Sequence, residues 1–381
     1  MKSRRVALVG LGIGRQHAAA YRALAGRFEI AAVCARSEVS ARKAANDFGA
    51  QHALTNFDDV LQLPNIDIID LCTPPHLHVE QALAALHTGH HVICEKPVAA
   101  DVADIDRLAA AEAACGRWLM PIFQYRFGAG LGTLLDLQAR GLTGDPLLAT
   151  VEVHWRRRAD YYHVPWRGRI ETELGGVLTS QAVHAIDALT CAFGNVRRVA
   201  AFAATAINPV EVEDNAVVSL QMCNGALVTI SATLGSGAEI TRHRFVFRNL
   251  VAESNTRPYS NCEGPWTFTS DDVEHATTLR QALAEIEAVR GNFSAAATEN
   301  KAVNAAVNAN EASNANEASM LNGYTPPVGF EPQMRAFADA LDMEQPPPVT
   351  IMDARRSVML LSAIYDSVRS GEIIELPRLN L

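Results

Sequence analysis

Short apolar runs alternate with helical stretches along the first 124 residues. The runs VALVG (6–10), IAAVCA (30–35), IDIIDLCT (66–73), HVIC (91–94) and LMPIFQ (119–124) are brief. Several are rich in β-branched side chains, as strands buried on both faces of a parallel sheet are. Between them the pattern predicts helices over 39–48, 77–88 and 102–115, stopped by Gly49, Gly89 and Gly116, the last opened by Asp101 as N-cap. The alternation predicts an α/β architecture, a doubly wound parallel sheet whose ligands bind beyond the carboxyl ends of the strands.

From about residue 145 the segments lengthen and alternate polar with apolar positions: 147–155, 196–205, 215–222, 226–235 and 243–249. They predict an open, mainly antiparallel sheet in a second, α+β domain, with a helix over 175–193 between its first two strands. The expected division is 1–124 and 125–381. Within the second part, residues 292–325 differ from their surroundings, with NANEAS repeated in tandem at 308–319. Such Ala, Asn, Ser and Glu cannot repay ordering entropy in a core, so the tract reads as a flexible, low-complexity insert or a poorly packed helix. Amphipathic helices follow it.

In the 175–193 helix Asp187 is the one formally charged residue. At helical pitch Ser180, His184, Asp187 and Cys191 share an arc of roughly 60°. A polar face without Lys, Arg or Glu suits a ligand cleft better than bulk water.

Composition narrows the classes. The chain has 381 residues, 49% hydrophobic and 20% charged, with a net charge of −9. That suits two soluble domains of about 100–200 residues each, and no basic block offers a nucleic-acid footprint. No apolar run approaches the roughly 18–20 residues of a membrane span, and MKSRRVALVG lacks the features of a signal peptide. A cytoplasmic protein is expected. Seven scattered cysteines without a CxxC pair argue against disulfides and zinc, and no His/Asp/Glu cluster suggests another metal.

The first strand–helix junction carries GLGIGRQH. Gly10, Gly12 and Gly14, with Ile13, suit a tight turn that brings backbone N–H groups to a pyrophosphate. Past the second strand, where an acidic residue would take a ribose 2′-OH, stand Arg36 and Ser37. A guanidinium beside a hydroxyl suits a 2′-phosphate, so NADP(H) is favoured over NAD(H). Lys96, in CEKP at another strand end, lies where desolvation can tune an amine for proton transfer. The segment WRRRADYYHVPWRG (155–168) offers Tyr162, Trp166 and Arg167 to a sugar ring or a carboxylate, and QYRF offers Arg126 near the domain crossing.

These residues together resemble the Gfo/Idh/MocA oxidoreductases: the glycine motif followed by His, TPxxLH from Thr73, EKP at 95–97, QYRF at 124–127 and GGxxxxxxxHxxD at 175–187. The resemblance spans nearly the whole chain outside the Asn-rich insert. It implies a Rossmann domain joined to an open-sheet domain. It further implies NAD(P)-dependent hydride exchange with a carbinol or ketone carbon of a sugar, polyol or related cyclic alcohol. In that family the EKP lysine relays the proton and the helix histidine contacts the reacting hydroxyl, roles that fall on Lys96 and His184. Thr73, Pro74, His76, His78, Glu95, Lys96 and Gln124 join the expected cofactor set. Ser180 stands where the family often has aspartate and is expected to bind substrate, as are Asp187 and the Arg and aromatic residues above. The same fold leaves open an oxidation-assisted lyase or hydrolase and a non-catalytic sensor. A homodimer or homotetramer through the C-terminal sheet is implied as well.

Overall fold

The computed structural model of the chain describes residues 3–305 and 329–377. Six strands, β1 (Arg4–Val9), β2 (Phe28–Cys34), β3 (His52–Leu54), β4 (Ile68–Leu71), β5 (His91–Cys94) and β6 (Leu119–Pro121), form a wholly parallel sheet in the order β3-β2-β1-β4-β5-β6. The direction of winding reverses between β1 and β4, which opens a crevice beyond their carboxyl ends. Helices α1 (Gly14–Ala23), α2 (Glu38–Phe48), α3 (Phe57–Leu61), α4 (His78–His87) and α5 (Val102–Cys115) connect the strands. Local chemistry sets their ends: Ser37 caps α2, Asp101 accepts the Asp104 N–H at 2.9 Å, and Gly49 and Gly116 adopt left-handed conformations. Edge strand β3 falls outside the apolar runs because its three residues are only half-buried. The run 119–124 stops as a strand at Pro121, and Gln124–Phe127 form a 3-10 turn.

The second half holds α6 (Ala129–Ala139), β7 (Pro146–Arg156), α7 (Ile170–Glu173), α8 (Val183–Phe193), β8 (Val196–Ala204), β9 (Asn215–Met222), β10 (Leu227–Thr233), β11 (Gly235–Phe247), β12 (Val251–Glu253) and β13 (Thr267–Thr269). Helices α9 (Val273–Ala305), α10 (Phe330–Asp342) and α11 (Ile351–Ser370) follow, with β14 (Ile374–Glu375) last. The eight strands run β13-β12-β11-β7-β10-β9-β8-β14; β7 and β10 are parallel and the other described pairs antiparallel. Of the Asn-rich tract, the part up to Ala305 continues α9, and 306–325 lie outside the described residues. No helix among the described residues is long and apolar enough to cross a membrane.

The expected helix over 175–193 begins later and differently. Leu178–Ala182 form a π turn before α8. Its wider winding breaks the 100° spacing that would align Ser180 with His184. The helix has almost no solvated side: Leu178, Ala182, Ile186, Leu189 and Phe193 are buried, and so are His184 and Asp187. Phe193 packs on Phe245 and Phe247, with ring centroids 5.1 Å apart in both pairs, tying the helix to the large sheet. Each such apolar side chain contributes roughly 1.5–3 kcal/mol by burial. The missing charges therefore reflect burial on all sides, with the ligand-facing part confined to a few polar atoms.

Candidate active site

The glycine loop fits a dinucleotide phosphate. Gly10 has φ +98°, and a Cβ there would lie 2.4 Å from the carbonyl oxygen of Cys72. Gly14 packs so closely that a Cβ would meet Cys72 Cβ and Leu8 at 3.3 Å. At Gly12 an added Cβ meets nothing within 4 Å, so the space before α1 is open. Ile13 caps α1 without a side-chain bond, so no capping side chain takes the N–H groups at the start of the helix. Arg36 and Ser37 follow β2 at the surface, and the Ser37 hydroxyl is already engaged by the Ser40 N–H at 3.4 Å.

Lys96 leaves the end of β5 and reaches into the other half of the chain, where its Nζ donates to the Ser180 carbonyl in the π turn. Burial lowers the lysine's pKa; Glu95 and Glu173 oppose that shift and Arg167 adds to it. His184 lies beside it, its pKa pushed down to about 3 by burial and by Lys96, so the ring is neutral. Its Nδ1 is buried without a partner, as are Gln124 Oε1 and Gln181 Oε1. Buried polar atoms are normally satisfied, and these three stand on the 3-10 turn and helix that flank Lys96.

A second layer comes from 155–173. The Arg167 guanidinium lies between aromatic faces, 4.1 Å from the Tyr161 centroid and 4.2 Å from that of Trp166. It also donates to the Tyr161 hydroxyl, which accepts from Gln181 Nε2 at 3.0 Å. Tyr162 packs edge-on against Tyr161 at 5.0 Å. The Ser180 hydroxyl donates to Glu173 Oε1 at 2.8 Å, so Ser180 meets its neighbours with both its carbonyl and its hydroxyl. The expectation of a hydroxyl open to substrate changes accordingly.

Arg126 and Asp187 are brought together, but against each other and Asp353. Nε and Nη2 of Arg126 donate to the two Asp187 oxygens at 2.7 and 2.6 Å, and Nη1 lies 2.9 Å from Asp353 Oδ1. Asp353 also completes the capping box of α11, in which Thr350 is the N-cap and its N–H donates to Asp353 at 2.7 Å. Two residues expected to hold substrate thus have their polar groups engaged within the frame.

His78 and Glu95 likewise face inward. His78 is fully buried, with Nδ1 2.8 Å from the Pro97 carbonyl and Nε2 2.9 Å from that of Thr73, so its ring supports the strand-end turns. The Thr73 hydroxyl donates to Gln81 Oε1 at 2.6 Å, and exposed His76 lies 3.3 Å from the Thr172 carbonyl. Pro74 precedes the 3-10 turn Pro75–Leu77 that leads into α4. Glu95 accepts the Lys96 backbone N–H at 3.0 Å and lies 3.1 Å from His17 Nε2. Burial would raise the Glu95 pKa, but the bond and charge of His17, with Lys96, hold it at about 2.

His17, the histidine after the glycines, is a residue whose role sequence reasoning missed. Its Nδ1 lies 2.9 Å from Asp70 Oδ2, which also accepts from the Tyr21 hydroxyl at 2.8 Å. Burial alone would strip the ring of its proton, yet Asp70 outweighs it and raises the pKa well above 6.5. Cys72 stands 3.4 Å from the same nitrogen. His17, Asp70 and Cys72 are close enough to share a cation. Burial instead pushes the thiol's pKa far up, and Asp70 is engaged by His17 and Tyr21, so the donors are satisfied within the cluster.

Comparison with known proteins agrees with this architecture. Residues 4–123 match the family model described as "Oxidoreductase family, NAD-binding Rossmann fold", and residues 132–247 match "GFO/IDH/MocA C-terminal domain". An uncharacterized oxidoreductase of Synechocystis sp. is 28% identical over 193 residues, 47% of this chain and 51% of that protein, so the chain spans about half the length of that relative. Levoglucosan dehydrogenase of Pseudarthrobacter phenanthrenivorans is 26% identical over 61% of this chain and 68% of its own. The crystal structure of the WlbA dehydrogenase of Bordetella pertussis, in complex with NADH and UDP-GlcNAcA, has a TM-score of 0.79. It is 25% identical over 99% of both chains.

Proposed function

Because the chain belongs to the Gfo/Idh/MocA family of oxidoreductases, we propose that it exchanges hydride between a nicotinamide cofactor and a carbinol or ketone carbon of a sugar, polyol or related cyclic alcohol. The observation that carries this reading is Lys96, a half-buried, pKa-lowered amine at the strand end between the open glycine loop and the unpartnered His184 nitrogen.

The nicotinamide supplies the hydride chemistry when bound. Gly10, Gly12, Ile13 and Gly14 would hold the pyrophosphate, and the backbone around Thr73, Pro74 and His76 the adjoining groups. Lys96 takes the hydroxyl proton in oxidation and returns it in reduction, a role that the lowering of its pKa by burial assists. His184, neutral, hydrogen-bonds and polarises the reacting oxygen. Gln181 offers an unpartnered carbonyl oxygen to polyhydroxy groups, and that of Gln124 would serve the cofactor. Trp166, Tyr162 and Arg167 give a flat, partly cationic wall suited to a sugar ring. Arg126, Asp187, His78 and Glu95 hold the frame. The division at 124/125 separates the cofactor half from the substrate half. Polyols added with cofactor test the reading: nicotinamide reduction at 340 nm supports it. Tight cofactor binding without turnover of any alcohol or ketone favours a sensor.

Arg36 and Ser37 favour NADP(H), by bidentate pairing of an exposed guanidinium with a 2′-phosphate. Equal affinities for the two cofactors, unchanged in Arg36→Ala, would contradict that preference. Assembly as a homodimer or homotetramer uses the outer face of the large sheet. There Phe202 is 80% exposed and lies directly opposite Val217, while Leu227 lies opposite Leu148. A cytoplasmic location is consistent with the cysteines of the described residues all being free thiols.

A further inference from the structure

One buried carboxylate has no part in this scheme. Glu173 ends α7 at 2% exposure. Its Oε1 accepts from Ser180 Oγ at 2.8 Å and Arg167 Nη1 at 3.2 Å, and its Oε2 from the Gly168 N–H at 2.6 Å. A carboxylate this deep is tolerated because such donors replace water. Ser180 is also the residue whose carbonyl receives Lys96 Nζ. Lys96, Ser180, Glu173 and Arg167 therefore form one connected chain, with an anion joining the two cations.

We propose that Glu173 is a positioning residue of the active site. Through Ser180 and Arg167 it fixes the turn that receives Lys96, and its charge offsets Arg167 so that the half-buried lysine can carry a proton. This rests on the reading of Lys96 as the proton-transfer group. The groups facing Lys96 are Glu95 at its own strand end, Arg167 and Glu173 from the 157–173 segment, and His184 from α8. His184 is neutral above about pH 3, so three fixed charges remain. Glu95 and Glu173 favour the ammonium, while Arg167 and burial oppose it. Removing the charge of Glu173 must therefore move the lysine in the opposite direction to removing that of Arg167. A residue that only supported the fold would not produce opposed shifts.

The chain has four lysines, Lys2, Lys43, Lys96 and Lys301, so the full-length protein labelled with 13C at lysine Cε gives few signals, and Lys96→Arg identifies one. The titration needs no turnover, which separates failure of this inference from failure of the proposed alcohol oxidation. Glu173→Gln is expected to lower the Lys96 midpoint and Arg167→Gln to raise it, each by roughly 0.5–1.5 pH units, with Glu173→Asp close to the wild type. An unmoved midpoint in folded Glu173→Gln, or shifts of the same sign in the two variants, overturns the proposal. If Glu173→Gln does not fold, Ser180→Ala, which removes the hydroxyl link to Glu173, decides: a moved Lys96 midpoint supports the proposal and an unmoved one overturns it.

Discussion

Arg126 and Asp187, 61 positions apart, meet through two parallel hydrogen bonds of 2.7 and 2.6 Å, with the carboxylate almost wholly buried. Asp353, in the first turn of α11, completes the guanidinium's partners at 2.9 Å. The pair joins the turn after β6 to α8 and α11. Breaking a buried pair from one side leaves a charge uncompensated, so Asp187→Asn should lower unfolding stability by about 3–5 kcal/mol. Urea denaturation measures this. A variant of unchanged stability with a raised KM alone would instead mean that Asp187 serves substrate.

The glycine loop separates steric from functional need. Gly10→Ala drives a Cβ into the Cys72 carbonyl at positive φ and should destabilise the fold. Gly12→Ala meets no protein atom, so its melting temperature should stay within about 2 °C of wild type. Its affinity for NAD(P)H should nevertheless fall about tenfold or more, because the added methyl occupies the phosphate approach. Calorimetry and NADH fluorescence check both, and unchanged binding by Gly12→Ala would remove the loop from the cofactor site.

Burial depresses His91 and His243 to about pH 4 and His184 to about 3, against 6.5 in the unfolded chain. The unfolded state therefore binds more protons below 6.5, and the stability these residues contribute, complete above 6.5, is lost as pH falls towards 4 and 3. The ceiling is about 2 kcal/mol per histidine at pH 5. His17 has the opposite sign: its raised pKa stabilises below 6.5 and that contribution is lost at higher pH, as the folded-state proton leaves. Glu95, held at about 2, stays ionised throughout this window. Urea midpoints at pH 5, 6 and 7 should fall towards pH 5, and a flat profile would contradict neutral buried rings.

The outer face of the large sheet should be an interface between copies. Phe202→Glu, at 80% exposure, cannot disturb the monomer core but places a charge in the apolar patch. Light scattering should show a smaller species with an unchanged melting temperature for the monomeric fold. An unaltered mass would move the interface elsewhere.

Much of the framework was legible because alternating runs, caps and glycines act locally. Ser37, Asp101, Gly49 and Gly116 bound their helices close to where the pattern put them. The positions of the glycine loop and Lys96 at strand ends were legible because the alternating runs locate the ends of a parallel sheet's strands. The π turn was not, since its entry is set from a distance: Glu213 accepts the N–H groups of Gly176 and Leu178 at 2.9 and 3.0 Å. Nor could spacing pair Arg126 with Asp187 or bring Glu173 beneath Ser180, because packing of α7, α8 and α11 creates those neighbours. The uncharged helix did report separation from water, but its cause is a core on nearly every side with only His184 and Gln181 keeping unpartnered polar atoms.

The central claim is that Lys96 moves the substrate proton. The direct measurement is kcat/KM for the best polyol from a panel that includes levoglucosan, comparing wild type with Lys96→Ala, with NAD(P)H affinity measured in parallel. The account predicts a loss of about 10²–10⁴-fold in kcat/KM with cofactor affinity nearly unchanged. Lys96→Ala turning over at the wild-type rate would contradict it.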